Sequence, residues 1–185
     1  VDDGILETAA ALQPIFVRRI AIPGNEGTFR EGASGPRSET GYPGGSVWKA
    51  ELSKLQVPES AVVLYAEGNC GPDGLSWNTR SESDDFLRVA CERGWTRAVV
   101  VTTPSHILRV LLTLVKALID REQKMQLFSV TPRSVSWEKR AYHSQGMQQL
   151  PRVEHIGEEW RRIAPYRENG SLCSFQELAD FLRAQ

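Results

Sequence analysis

The sequence predicts an α/β fold: a three-layer α/β/α, Rossmann-like domain with a mainly parallel sheet. Short continuous apolar runs of strand length alternate along the chain with amphipathic segments of helical period, which is the pattern of parallel strands covered on both faces. The exits of those runs are rich in small or polar residues, as ligand-binding strand ends are in such sheets. Size agrees, since 185 residues at 41% hydrophobic suit one globular domain over 1–185 with a real core.

The segment 2–13 reads as a helix that Asp2 or Asp3 can cap and Pro14 closes. A strand over Arg18–Ile22 ends in PGNEG, and a Gly-, Ser- and Pro-rich loop follows to about 45. A helix over 46–56 presents Val47, Leu52 and Leu55 to the core. The run Ala61–Ala66 is a second strand, and TRSE then opens a helix over 80–93, Thr79 and Glu82 having the spacing of a capping box. A third strand over Arg97–Thr102 leads into a helix over 104–121, and Gln126–Val130 is the fourth strand. The remainder reads as helices over 136–146 and 151–164 and a last one that Ser174 and Glu177 box. An α/β domain of this kind normally opens on a strand, yet the first segment is helical, so a preceding strand is expected outside the numbered chain.

Charge and composition narrow the function. Lys and Arg number 22 against 23 Asp and Glu, leaving a formal net charge of −1 and no broad basic field for nucleic acid. Any anion site must therefore be local. The apolar run Ile107–Ile119 is broken by Arg109 and Lys116 and is too short for a membrane span, and no signal peptide is visible. Cys70, Cys91 and Cys173 are odd in number and form no CxxC pair, so a disulfide scaffold is not expected and a reducing, cytoplasmic setting is the default.

The chemistry is expected at the four strand exits: PGNEG (23–27), EGN (67–69), TTPSH (102–106) and TPRS (131–134). In the third, Thr103 suits an N-cap, Pro104 the first helical position, and His106 falls where a capping box would place Glu. A helix start favours acids, because its free N–H groups carry partial positive charge. Here the first turn holds His106 and Arg109 instead, three apart on one face, so an anion bound on the N–H groups of 104–106 is one reading. The other is an ordinary solvated stripe, since His106, Arg109, Thr113, Lys116 and Asp120 recur at steps of three and four.

Other motifs point less far. GYPGGSVWK (41–49) lacks the GK[ST] ending of a phosphate loop, no GxGxxG follows a strand, and no GxSxG elbow is present. His143 and His155 lack metal-site company and read as surface histidines, while Trp77, Trp95, Trp137 and Trp160 read as packing residues. Glu67 and Glu82 are carboxylates available for acid–base work, although capping alone would explain Glu82.

Glu67, SWNTRSE (76–82) and VVVTTPSHILR (99–109) together resemble the signature of the YdcF, SanA and ElyC family, a bacterial α/β domain of unknown function. Its motif positions fall on Glu67, Asn78, Thr79, Glu82, Thr102, His106 and Arg109, its glycine turn on Pro23 to Asn25 with Gly24 matching, and a late Glu on Glu154. The resemblance covers roughly 1–165. The loop from Glu67 to Asn78 is long for the family, and Ser83 replaces its usual Asn or Ala. What it implies is a Rossmann-like domain, S-adenosylmethionine as a cofactor or ligand in one member, and links to the cell envelope and peptidoglycan precursors in others, a membrane-anchored form included. Joined to the residue chemistry, the expectation is a small anionic ligand, phosphate-containing or nucleotide-like. Glu67 and His106 are then the catalytic candidates, and Gly24, Asn78, Thr79, Glu82, Thr102, Thr103 and Arg109 the ligand-binding ones. A hydrolase or transferase on a phosphorylated substrate would use them for turnover; a non-catalytic binding module would use them for affinity alone.

Overall fold

In a computed structural model of the chain, the described residues are 4–25, 42–67, 78–133, 136–142 and 149–185. They form α1 (Ile5–Leu12), β1 (Ile20–Pro23), α2 (Gly45–Lys54), β2 (Val62–Tyr65), α3 (Thr79–Glu92), β3 (Arg97–Val101), α4 (Ile107–Asp120) and β4 (Gln126–Val130). The hairpin strands β5 (Arg140–Tyr142) and β6 (Gln149–Pro151) and the helices α5 (Arg152–Glu168) and α6 (Phe175–Arg183) complete the order. The fold is mixed α/β with short parallel sheets. Among the described residues β1 pairs with β2 in parallel, Ile20 opposite Val62, and β3 pairs with β4 in parallel, Arg97 opposite Gln126. No hydrogen-bonded ladder joins one pair to the other among these residues.

The alternation of side chains along each strand explains the packing. In the first pair Ile20, Ile22, Val62 and Leu64 join Leu6 and Ala9 of α1 and Leu52 of α2 in one apolar cluster. On the opposite face Tyr65 meets Phe86 of α3 edge-on, ring centroids 5.6 Å apart. In the second pair Ala98, Val100 and Leu127 pack with Leu87 of α3, Leu112 and Val115 of α4, Ile163 of α5 and Leu178 of α6. α3 also packs along α4, and α1 touches β3 as well as α2.

Several predicted elements shift. The first strand begins two residues later than Arg18, and the second and third each end one residue before their predicted limits, at Tyr65 and Val101. Of the apolar side chains of α2 only Leu52 is buried; Val47 and Leu55 are 42% and 38% exposed, so they are not the inward face. The caps at Asp2 and Asp3 lie outside the described residues, and the start of α1 is Gly4, at φ 80°. The predicted helix over 136–146 is instead part of the antiparallel β5–β6 hairpin, with 143–148 outside the described residues. Helix α5 runs on to Glu168 through Pro165, past the predicted end at 164. The box of Ser174 and Glu177 forms as expected, each side chain meeting the other's backbone N–H at 3.1 and 2.7 Å.

Candidate functional site

The start of α3 decides which way Glu82 points. Asn78 is its N-cap: the side-chain oxygen accepts from the N–H groups of Arg80 and Ser81 at 2.9 and 3.0 Å, and Ser81 Oγ accepts from the Asn78 N–H at 3.0 Å. The box is thus Asn78 with Ser81, not Thr79 with Glu82, because a cap oxygen reaches only the second and third N–H groups after it. Glu82 has no capping role, and its Oε1 accepts from Asn25 Nδ2 at 3.3 Å. Burial raises the pKa of the Glu82 carboxyl, while the Asn25 hydrogen bond and the Arg109 charge oppose that rise.

The turn after β1 is assembled from backbone. The Gly24 N–H donates to the Tyr65 carbonyl, the Tyr42 hydroxyl donates to that of Pro23, and the Gly45 N–H donates to that of Asn25. A Cβ on Gly45 would stand 2.6 Å from the Pro23 oxygen, and one on Gly24 2.6 Å from Glu67 Cγ. Gly45 needs a residue without a side chain because backbone stands in the way, whereas at Gly24 the exposed Glu67 side chain would have to move aside. They hold Asn25 against α3 and bring the start of α2 onto the β1 exit.

At the start of α4 the absent acid of the first turn is explained. Arg109 is only 4% exposed. Its Nε donates to Glu159 Oε2 at 2.5 Å, its Nη2 to Oε1 at 3.3 Å, and its Nη1 to Thr79 Oγ1 at 3.0 Å. The Tyr166 ring covers the guanidinium at 5.7 Å. His106 Nδ1 lies 3.1 Å from the same Glu159 Oε2 and 3.2 Å from Arg109 Nη2. One nitrogen cannot donate to the carboxylate and accept from the guanidinium at once, so its protonation selects between these contacts. Arg162 stands 3.8 Å from Glu159 Oε1 as a further cation. The anion facing His106 and Arg109 is therefore internal, a carboxylate from α5.

This corrects two expectations. Pro104 has no N–H to offer, and the His106 N–H donates to the Thr103 carbonyl at 3.0 Å, so residues 104–106 are not an open row of donors. Nor is the stripe a solvated face throughout. Arg109 and Thr113 are buried, Thr113 donating to the Arg109 carbonyl at 2.8 Å, and only its far end is an exposed pair, Lys116 to Asp120 at 2.5 Å.

Of the predicted site residues, Thr79, Glu82, His106 and Arg109 come together around Glu159 and Asn25. Thr102 and Thr103 are half-buried at the β3 exit, the Thr103 hydroxyl 3.3 Å from that of Ser105. Asn78 serves the helix cap. Glu67 is exposed and lines a shallow cavity of about 340 Å³ with Leu64, Tyr65, Ala66, Asp85 and Arg88, none of which belongs to the Arg109 group.

Two residues of the cluster escaped the sequence reading. Asn25 stood in the glycine turn without being singled out. Glu159 lies five positions beyond the expected Glu154, which is exposed. Its signal was spacing: His155, Glu159 and Ile163 are the buried residues of α5, a four-residue stripe with a carboxylate in the middle. His155 is accordingly no surface histidine, being 5% exposed with Nε2 3.0 Å from the Ala141 carbonyl. Trp95 packs against the core, but Trp137 and Trp160 are 42% and 53% exposed. Trp77 and His143 lie outside the described residues.

Among the described residues no group of three or more His, Cys, Asp or Glu could hold a metal ion, and no helix is long and apolar enough to cross a membrane. Comparison of the chain with protein-family models, with curated proteins and with solved structures returned no match.

Proposed function

We propose that the protein binds a small anionic molecule, phosphate-containing or nucleotide-like, at the carboxyl ends of its strands and acts on it as a hydrolase or transferase. The observation that carries this reading is the charge balance of the cluster. Glu159 cancels Arg109, and burial favours the neutral form of Glu82. Arg162 stands beside Glu159 as a second cation, so among the described residues the cations of the cluster outnumber its ionised carboxylate, a proton on His106 adds to them, and a low-dielectric surround strengthens their pull on an anion. Arg109 is the positioning residue, holding Glu159 against His106. The imidazole is the acid or base, and Glu82, whose carboxyl burial pushes above the usual carboxylate range, stands 3.3 Å from Asn25 as a second acid–base group.

The same motif residues support membership of the YdcF, SanA and ElyC family, and with it a three-layer Rossmann-like arrangement in which the two strand pairs are halves of one sheet. The free thiols of Cys91 and Cys173 suit a cytoplasmic setting. Thermal shift with inorganic phosphate, nucleotides, sugar phosphates and S-adenosylmethionine tests the proposal, because a ligand of the native state raises apparent stability. We expect a phosphate-bearing probe to stabilise the protein and His106→Asn to abolish both that shift and any turnover. Stabilisation that survives in His106→Asn would move the site elsewhere. Binding without turnover by any probe would make the protein a binding module, and a shift with S-adenosylmethionine alone would assign it that ligand.

A further inference from the structure

Helix α5 turns an apolar stripe to solvent. Its inward side is already spent: His155, Glu159 and Ile163 are its buried residues. A helix packed on a core by one side ordinarily shows charged and polar residues on the other. Here Val153, Ile156, Gly157, Trp160 and Ala164 recur at helical spacing on the outward side, and all five are exposed. Phe175, at the start of α6, extends the stripe, its ring centroid 5.9 Å from that of Trp160 and the Arg167 guanidinium 5.4 Å from its own. Val153, Ile156, Trp160 and Phe175 are 52%, 37%, 53% and 40% exposed. Large apolar side chains exposed to these fractions sum to about 400 Å², the scale at which a patch marks an interaction site rather than scattered surface residues.

We propose that this stripe pairs with the same stripe of a second copy of the chain, the two α5 helices lying antiparallel about a two-fold axis at Gly157. Area and charge both favour that occupant. Two facing patches bring together about 800 Å² of apolar surface, roughly the two-thirds apolar share of an interface of about 1,200 Å², the smallest that a specific dimer usually needs. The dimer is accordingly weak and concentration-dependent. One edge of the stripe is charged, with acid before base along the chain: Glu154 and Glu158, then Arg161, which ion-pairs with Glu158. An antiparallel pair brings the same edge of both helices together with the direction reversed, which sets Glu154 opposite Arg161 of the partner subunit. A parallel pair in register would set each charge against its own kind. A two-fold interface must be self-complementary, and this edge is so only in the antiparallel sense. A lipid surface fits less well, since it favours a basic edge and this one carries two acids to one base. Glu159 faces away from the stripe, so each copy keeps its own Arg109 cluster, and the inference does not depend on the ligand reading above.

Sedimentation equilibrium of the 185-residue chain across about 1–100 μM protein tests this. The mass is expected to rise from 20.7 kDa toward twice that value. Trp160→Glu should weaken association about tenfold or more, and Val153→Glu, toward the other end of the stripe, should act in the same direction. Both side chains are exposed, so melting temperatures at the dilute end should match the parent's. Glu154→Arg and Arg161→Glu should each weaken the dimer, while the double variant restores it, because reversing both keeps opposite charges facing. A monomer throughout overturns the proposal, and co-sedimentation of that monomer with phosphatidylglycerol vesicles, lost in Trp160→Glu, would give the stripe to a lipid surface instead. A dimer that neither Trp160→Glu nor Val153→Glu weakens uses another face and overturns it too. A double charge reversal no better than the single ones removes the antiparallel pairing, and masses beyond the dimer would mean head-to-tail contacts in place of a closed two-fold.

Discussion

Arg109 on α4 and Glu159 on α5, separated by 50 positions, form a two-point ion pair in which the guanidinium is 4% and the carboxylate residue 4% exposed. Breaking such a pair from one side leaves the other charge buried and uncompensated, whereas replacing both by apolar groups of similar size does not. Arg109→Ala is therefore expected to cost about 3–5 kcal/mol of stability in urea unfolding. That differs from the small effect suited to a ligand clamp. The double variant Arg109→Met, Glu159→Leu should recover most of the loss. Equal losses in the single and double variants would show that the contact area, not the charge pairing, holds α4 to α5.

The buried carboxyl of Glu82 makes stability depend on pH. Its pKa in the folded protein lies above the ordinary 4.5, with burial as the main cause. Between those two values the native state holds the proton more tightly than the unfolded chain, so stability falls as pH rises through that window and the loss is complete above it. Glu82→Gln removes the titrating group. Urea unfolding across this range should show a flatter profile for the variant and a higher stability than the parent on the alkaline side. A parent that gains stability there relative to the variant would place the charged form of Glu82 among the favourable contacts of the fold.

The cap assignment at α3 is separable from side-chain packing. Asn78→Ala should cost about 1 kcal/mol, while Asn78→Gly should cost only a few tenths, because glycine suits the cap backbone and lets water reach the free N–H groups. Equal costs for the two substitutions in chemical denaturation would argue that Asn78 is not the cap.

Two glycines should respond in opposite senses to the same change. Gly45→Ala drives a Cβ into the backbone of Pro23 and Gly24 and is expected to cost about 1–3 kcal/mol. Its damage should reach the site, since the Gly45 N–H holds the Asn25 carbonyl at 3.0 Å. Gly157, within α5, has nothing within 4 Å of its Cβ position, so Gly157→Ala should stabilise by about 0.5–1 kcal/mol through helix propensity. Melting temperatures moving the same way for both would remove the close approach at Gly45.

Local rules were readable where the determining contacts are local. The apolar runs located all four main strands within two residues, and the box of Ser174 and Glu177 follows from a three-residue spacing. The strand exits and the acid-free first turn also drew attention to His106 and Arg109, which do share one cluster. Asn78 and Thr79 are both good cap residues followed three positions on by a side chain able to return a hydrogen bond, so spacing alone could not choose between them. The extended backbone of Asn78, at φ −138° and ψ 169°, makes it the cap, and Glu82 is left to turn toward Asn25. The helix expected over 136–146 gives way at Arg140–Tyr142 to β5, because β5 and β6 satisfy each other's backbone groups in an antiparallel pair that helical periodicity does not foresee.

What composition and periodicity established was the order of the four main strands and the helices between them, and one acid-free helix start for which an anion site and a solvated stripe were both open readings. That a carboxylate of the same chain faces this start was decided only when α5 packed beside α4 and α6 in the shared apolar cluster. The reason lies in range. Caps and helical stripes depend on neighbours three or four residues apart and are written in adjacent positions. An ion pair 50 positions apart exists only after burial of Ile163, Leu112 and Leu178 has fixed the helices and removed the water that would otherwise screen its charges.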